Sequence, residues 1–126
     1  LGPGWLMALG AAGGIIRWIG LGWTTDFYAL LFFQMLHGLT FGAAHLGAMT
    51  YLQRHVPAES SATGQALYSA LGMGAALALM QPIAGLLYAK NGGGAFYAMA
   101  ILAAVGFLFA VLLALRLRKI DQNSPT

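Results

Sequence analysis

Residues 27–53 read FYALLFFQMLHGLTFGAAHLGAMTYLQ, and no formal charge falls between Asp26 and Arg54. A helix needs about 20 apolar residues to cross the hydrocarbon core of a bilayer, and this run exceeds that length. Similar runs lie on either side. Residues 60–89 are bounded by Glu59 and Lys90, and residues 91–115 by Lys90 and Arg116. Residues 1–25 form another, interrupted only by Arg17. The spacing predicts four transmembrane helices, over residues 4–23, 27–53, 62–89 and 95–116, followed by a polar tail over 120–126. Membrane-spanning strands would instead show short alternating segments. The fold class is an all-α membrane protein of four antiparallel transmembrane helices.

Composition leads to the same class. Of 126 residues, 60% are hydrophobic and 7% charged, against roughly a quarter charged in a soluble domain. So few charges cannot clothe a small soluble domain, most of whose residues lie near its surface. Disordered chains are poor in apolar residues and rich in charge, which excludes disorder. With no cysteine, disulfides, thiolate metal sites and thiol catalysis are excluded. The net charge of +3 is scattered and offers nucleic acid no basic surface. Leu1, not Met, opens the first apolar run, and a secretory signal would carry its cation before that run rather than at Arg17. The expectation is a fragment lacking its start, with Asp121–Thr126 as a true C-terminus.

The connections are short: Thr24-Thr25-Asp26, Gln53 to Ser61, and Asn91-Gly92-Gly93-Gly94. Short connections imply antiparallel neighbours. One side carries Arg54 and His55 together with Arg116, Arg118 and Lys119, whereas the other carries Asp26 and Lys90. The positive-inside rule places the first side, and the C-terminus, in the cytoplasm. The localisation expected is the inner (plasma) membrane, multi-pass. Trp23, Phe27, Tyr28, Tyr88, Phe96 and Tyr97 mark the outer interface. Small residues permit close helix contact in lipid. They recur at four-residue steps as Ala62, Ala66, Ala70, Gly74 and Ala78, and as the pairs Gly10/Gly14 and Gly38/Gly42. Pro82 removes a helical hydrogen bond, which predicts a kink and a candidate hinge.

Polar groups at membrane depth are costly and usually face a bundle interior or a water path. At about 100° per residue, Gln34, His37 and His45 share roughly an 80° arc, flanked by Phe41, Ala44 and Ala48. An imidazole titrates near pH 6.5, so this stripe can bind or relay a proton or hydrogen-bond a solute. The alternative is that both imidazoles are neutral and satisfied by neighbouring helices. His37 and His45 are about 12 Å apart along the axis. They cannot chelate one metal ion, and no carboxylate or cysteine completes a site. Arg17 either pairs with an anionic solute or plays a structural part, snorkelling or bonding to helix ends. Thr40 lies in the same region of the second helix, and Gln65 and Tyr68 start the third. The candidate path residues are thus Gln34, His37, Thr40, His45, Gln65 and Tyr68, with Arg17 as the intramembrane charge. No nucleotide motif or nucleophile–base set is present, and no cofactor is implied, so the chain does not read as an enzyme.

Gly13-Gly14-Ile15-Ile16-Arg17-Trp18, Gln34-Met35-Leu36-His37, Thr40-Phe41, His45-Leu46, Ala48-Met49, Gln65-Ala66-Leu67-Tyr68-Ser69-Ala70 and Met73-Gly74 follow in order. This pattern resembles the C-terminal part of major facilitator superfamily transporters, in the phenylpropionate permease-like branch related to nucleoside:proton symporters. The resemblance implies the last four of twelve helices and a cytoplasmic C-terminus. It implies that residues 27–53 line a central cavity, and that the helix carrying Arg17 is peripheral. The function it implies is proton-coupled alternating-access transport of a small organic solute, an aromatic carboxylate or nucleoside-like molecule. The partners are the lipid bilayer, that solute, protons and the missing N-terminal helices. Two other readings fit four helices: a dimeric small multidrug exporter, which would need a carboxylate where this chain has Arg17, and a non-transporting membrane subunit.

Overall fold

The computed structural model describes residues 2–123, so Ser124–Thr126 of the expected tail lie outside the described residues. Helix α1 spans Pro3–Trp23 and α2 spans Phe27–His55. A third, continuous rod joins α3 (Ser61–Leu67), a π-helical segment (Tyr68–Ala75) and α4 (Ala76–Asn91). Helix α5 spans Ala95–Asn123. Single 3-10 turns, Ala58–Ser60 and Gly92–Gly94, precede α3 and α5.

Local chemistry sets these boundaries. Pro3 occupies the first turn of α1, where no amide donor is needed. The Asp26 carboxylate accepts from the Ala29 amide at 2.9 Å and caps α2. Val56 is extended before Pro57, because a proline ring disfavours helical geometry in the residue before it. Helix α4 ends at Gly92, whose φ of +53° and ψ of −133° lie outside the range comfortable for a residue with a side chain. Beyond Gly106 the sequence holds no glycine or proline until Pro125. Helix α5 accordingly runs through Ile120 and Asp121 to Asn123, so the polar stretch expected from residue 120 begins inside a helix.

Contacts at both ends show the helix directions. The start of α1 meets the end of α5 at Gly4 and Ala114, and its end meets the start of α5 where Trp18 stacks on Phe96. Gly10 lies against the α2 backbone at Thr40 and Ala44, and Gly20 against Phe33. Helix α1 therefore runs antiparallel to both α2 and α5 and lies between them among the described helices. The physical reason is glycine. A Cβ on Gly4 would sit 2.6 Å from Ala114 Cα, and one on Gly10 would sit 2.7 Å from the Thr40 carbonyl oxygen. Only a bare backbone permits such an approach.

The core is correspondingly thin. Its buried apolar residues are Ala8, Leu21, Ala95, Ala100, Ala110 and Ala114. Large apolar side chains such as Phe32, Met35, Leu79 and Phe109 are exposed, as suits a hydrocarbon solvent. Three helical stretches are long and apolar enough to cross a membrane: Pro3–Trp23, Phe27–His55 and Ala58–Gln122. The last has 65 residues and would be near 98 Å long as one straight helix. The Gly92–Gly94 turn divides it, and Tyr88 and Phe96 meet edge to face across that turn.

Two of the small-residue patterns meet no neighbour among the described residues. Gly38 and Gly42 have nothing within 4 Å of an added Cβ, so this pair faces no described helix. Ala62, Ala66, Ala70, Gly74 and Ala78 are likewise exposed. Their four-residue steps cross the π-helical segment, where the wider i→i+5 turn carries successive members off a single face. Pro82 lies inside α4, which extends past it to Asn91, and the departure from α-helical hydrogen bonding lies upstream at Tyr68–Ala75.

Candidate functional site

Gly47 is the one buried residue of α2. Its polar side chains meet α1 and the third rod in two places. Near the Thr24–Asp26 turn, Gln34 Oε1 accepts from Arg17 Nη1 at 3.5 Å. Toward the Arg54 end, His45 Nδ1 lies 3.4 Å from the Tyr68 hydroxyl, with ring centroids 5.7 Å apart. Between them runs a ladder of rings one helical turn apart. His37 and Phe41 are 6.0 Å apart, and Phe41 stacks on His45 at 5.7 Å. The four-residue steps from His37 to Phe41 to His45 produce this ladder, because such neighbours lie on one helix face.

Thr40 donates its hydroxyl to the His37 carbonyl at 3.1 Å. Its donor is therefore used within α2, while its methyl group lies against Gly13 of α1. This back-bond is a common way for threonine to satisfy itself within a membrane helix.

Two cavities flank this region. One is an open groove of about 500 Å³ lined by α1, α2, α5 and Tyr68, with Arg17, His37, Thr40, Phe41 and Phe109 among its residues. The other, of about 560 Å³, lies toward the Thr24 and Gly93 turns and includes Arg17, Trp18, Gln34, Tyr88 and Phe96. Arg17 lines both. Both volumes suit a small organic ligand, and a few polar groups set in apolar walls are typical of such sites.

Arg17 is 7% exposed, and its Nε has no hydrogen-bond partner among the described residues. Its guanidinium carbon lies 3.9 Å from the centroid of the adjacent Trp18 ring, a cation–π contact. Among the described residues no group of histidine, cysteine and acidic side chains could hold a metal ion.

The structure thus brings Arg17, Gln34, His37, Thr40, His45 and Tyr68 to one side of α2. It leaves two candidates apart. Gln65 is exposed and donates to Ser61 Oγ at 3.3 Å. Pro82 is exposed in α4, and none of the cavities described here includes it. The α5 wall, with Gly106, Phe109 and Ala110, carries no polar signal that would reveal it in the sequence. Tyr88 and Phe96 read as markers of the membrane interface, yet together with Trp18 they line the second cavity. Their aromatic bodies serve either purpose, and only helix pairing distinguishes them.

Comparison with known proteins adds a family. Residues 1–100 match the model of the MFS_1 like family. A protein of Escherichia coli (strain K12) described as a "Probable 3-phenylpropionic acid transporter" is 39% identical over 98 residues. The aligned region covers 78% of this chain and 26% of that protein, so the chain spans about a quarter of its relative's length. No solved structure matches the chain.

Proposed function

Because this chain belongs to the MFS_1 like family, a family of membrane transporters rather than enzymes, we propose that it works within a secondary transporter. That transporter moves a small organic solute by alternating access, coupled to protons. The solute is an aromatic carboxylate or a nucleoside-like molecule, and the name of the Escherichia coli relative favours the carboxylate. The reading places four passes in the inner membrane, residues 58–122 crossing twice about the Gly92–Gly94 turn, as the C-terminal portion of a twelve-helix fold. The charge distribution supports a cytoplasmic C-terminus, since Arg54, Arg116, Arg118 and Lys119 gather at one side.

One observation carries the proposal: Gln34, His37 and Thr40 of α2, together with Arg17, line open cavities whose remaining walls are mostly apolar, with His45 held beside them by Tyr68. Gln34 and Thr40 orient the solute there. His37 and His45 accept hydrogen bonds or protons, and the Tyr68 hydroxyl holds the His45 ring. An imidazole changes charge across the pH range in which a proton gradient operates. In the protein encoded by the full gene, His37→Ala should reduce uptake of 3-phenylpropionate or flatten its pH dependence. Radiolabelled uptake in cells between about pH 5 and pH 8 measures this, and an unchanged profile removes His37 from the path.

A further inference from the structure

We propose that the Arg17 guanidinium is the anchor for the carboxylate of an organic anion, shared between the two cavities that it lines. This rests on the transporter reading above and assigns the charge-recognising residue of that site.

Arg17 has an incomplete set of partners. A guanidinium presents five N–H donors in a fixed planar fork. At Arg17, one donor makes a long contact of 3.5 Å to a neutral amide, and Nε has no partner among the described residues. Trp18 offers the cation its ring face but cannot accept through the fork. The acidic residues Asp26, Glu59 and Asp121 are all exposed and lie at or beyond helix ends. A cation that is 7% exposed therefore stands without an anion among the described residues. Charges in such surroundings are usually paired. A carboxylate fits the guanidinium fork with two parallel hydrogen bonds.

The walls specify the rest of the ligand. On one side, Trp18 and Phe96 stack with centroids 5.9 Å apart and an interplanar angle of 17°. On the other, Phe41 and Phe109 line the neighbouring cavity. Each side joins apolar aromatic surface to the same cation, so the cation favours an anion over a neutral solute and the walls favour an aryl body over a sugar. The polar neighbours differ: Gln34 lies on the side of the turns, and His37 and Thr40 on the other. An anion held by Arg17 can exchange its second partner from Gln34 to His37 while its principal contact persists. One residue thereby serves a site approached from either direction.

The test uses the protein encoded by the full gene, purified in detergent, with thermal stabilisation as the binding readout. The probes are 3-phenylpropionate and its neutral isostere, 3-phenylpropionamide. The wild type should prefer the carboxylate by about 10-fold or more, the scale expected when a charge-assisted pair is lost. R17Q should bind both probes alike, and R17K should keep the charge but lose most of the preference. If R17Q does not fold, R17K and Gln34→Ala answer the question, with reduced preference in R17K expected and an undiminished one overturning the assignment. A preference unchanged in R17Q also overturns it. A wild type that transports a neutral solute but is stabilised by neither probe overturns the anchor and leaves the transporter reading standing. A wild type that transports nothing and binds neither probe overturns both.

Discussion

Gly10 and Gly42 are both glycines in four-residue repeats, yet their surroundings are opposite. An added Cβ at Gly10 would meet the Thr40 carbonyl oxygen at 2.7 Å and the Ala44 amide nitrogen at 2.9 Å. Both are backbone atoms of α2 and cannot swing away. Gly10→Val should therefore push α1 and α2 apart and destabilise the protein by about 1–3 kcal/mol, the usual cost of forced overpacking. At Gly42 nothing lies within 4 Å. Gly42→Ala should leave the protein as stable as the parent or more so, by up to about 1 kcal/mol, because alanine is the better helix former and nothing obstructs its methyl group. Thermal unfolding of the two variants in the same detergent measures the difference. Arg17 teaches the same lesson with a charge. Its presence inside an apolar run is plain from sequence. Its near-complete burial, and its place on the wall between two cavities, follow from the close approach of α1 to its neighbours.

Among the elements, the ends are most directly written in local sequence. Asp26 caps α2 through the Ala29 amide, and its own amide bonds to Thr24 Oγ1 at 3.1 Å. Asp26→Ala should cost about 1 kcal/mol, the typical loss of an N-cap. Gly92 is a different case, because its φ of +53° with ψ of −133° suits glycine almost exclusively. Gly92→Ala should cost about 1–3 kcal/mol, and Gly94→Ala, at a turn glycine without positive φ, should cost less. Equilibrium unfolding by denaturant can rank the three. The third rod is where local reading falls short. Pro82 sits within α4, whereas the change of hydrogen-bonding pattern lies upstream of it. The widened turns lie at Tyr68–Ala75, where Ala70, Gly72, Gly74 and Ala75 leave little side-chain bulk to enforce regular spacing. That departure breaks the small-residue row between Ala62 and Ala78.

The molecule as a whole has its apolar surface outward. Trp23 is 83% exposed and Leu39 is 73% exposed, and helix contacts rest on glycine and alanine. Such a surface requires lipid or detergent. The expressed chain should remain in the membrane pellet after alkaline carbonate washing and enter solution only with detergent. Monodisperse material in plain buffer would refute the membrane reading. If the basic end is cytoplasmic, a C-terminal fluorescent-protein fusion should fluoresce and a C-terminal alkaline phosphatase fusion should be inactive; the reverse pattern would invert the topology.

Hydropathy and charge spacing suffice to establish helices and a lipid environment, because the need to satisfy every backbone group in hydrocarbon leaves few alternatives. Helical periodicity likewise suffices to put Gln34, His37 and His45 on one side of α2, since that relation lies within a single element. Which helix stands between the others does not follow from those patterns. It depends on which glycines meet a neighbouring backbone: Gly4, Gly10 and Gly20 do, whereas Gly38 and Gly42 do not. The association of Arg17 with Gln34, and of His45 with Tyr68, joins residues from separate helices. Both pairings come from how closely and at what register those helices pack, a property that no single apolar run contains.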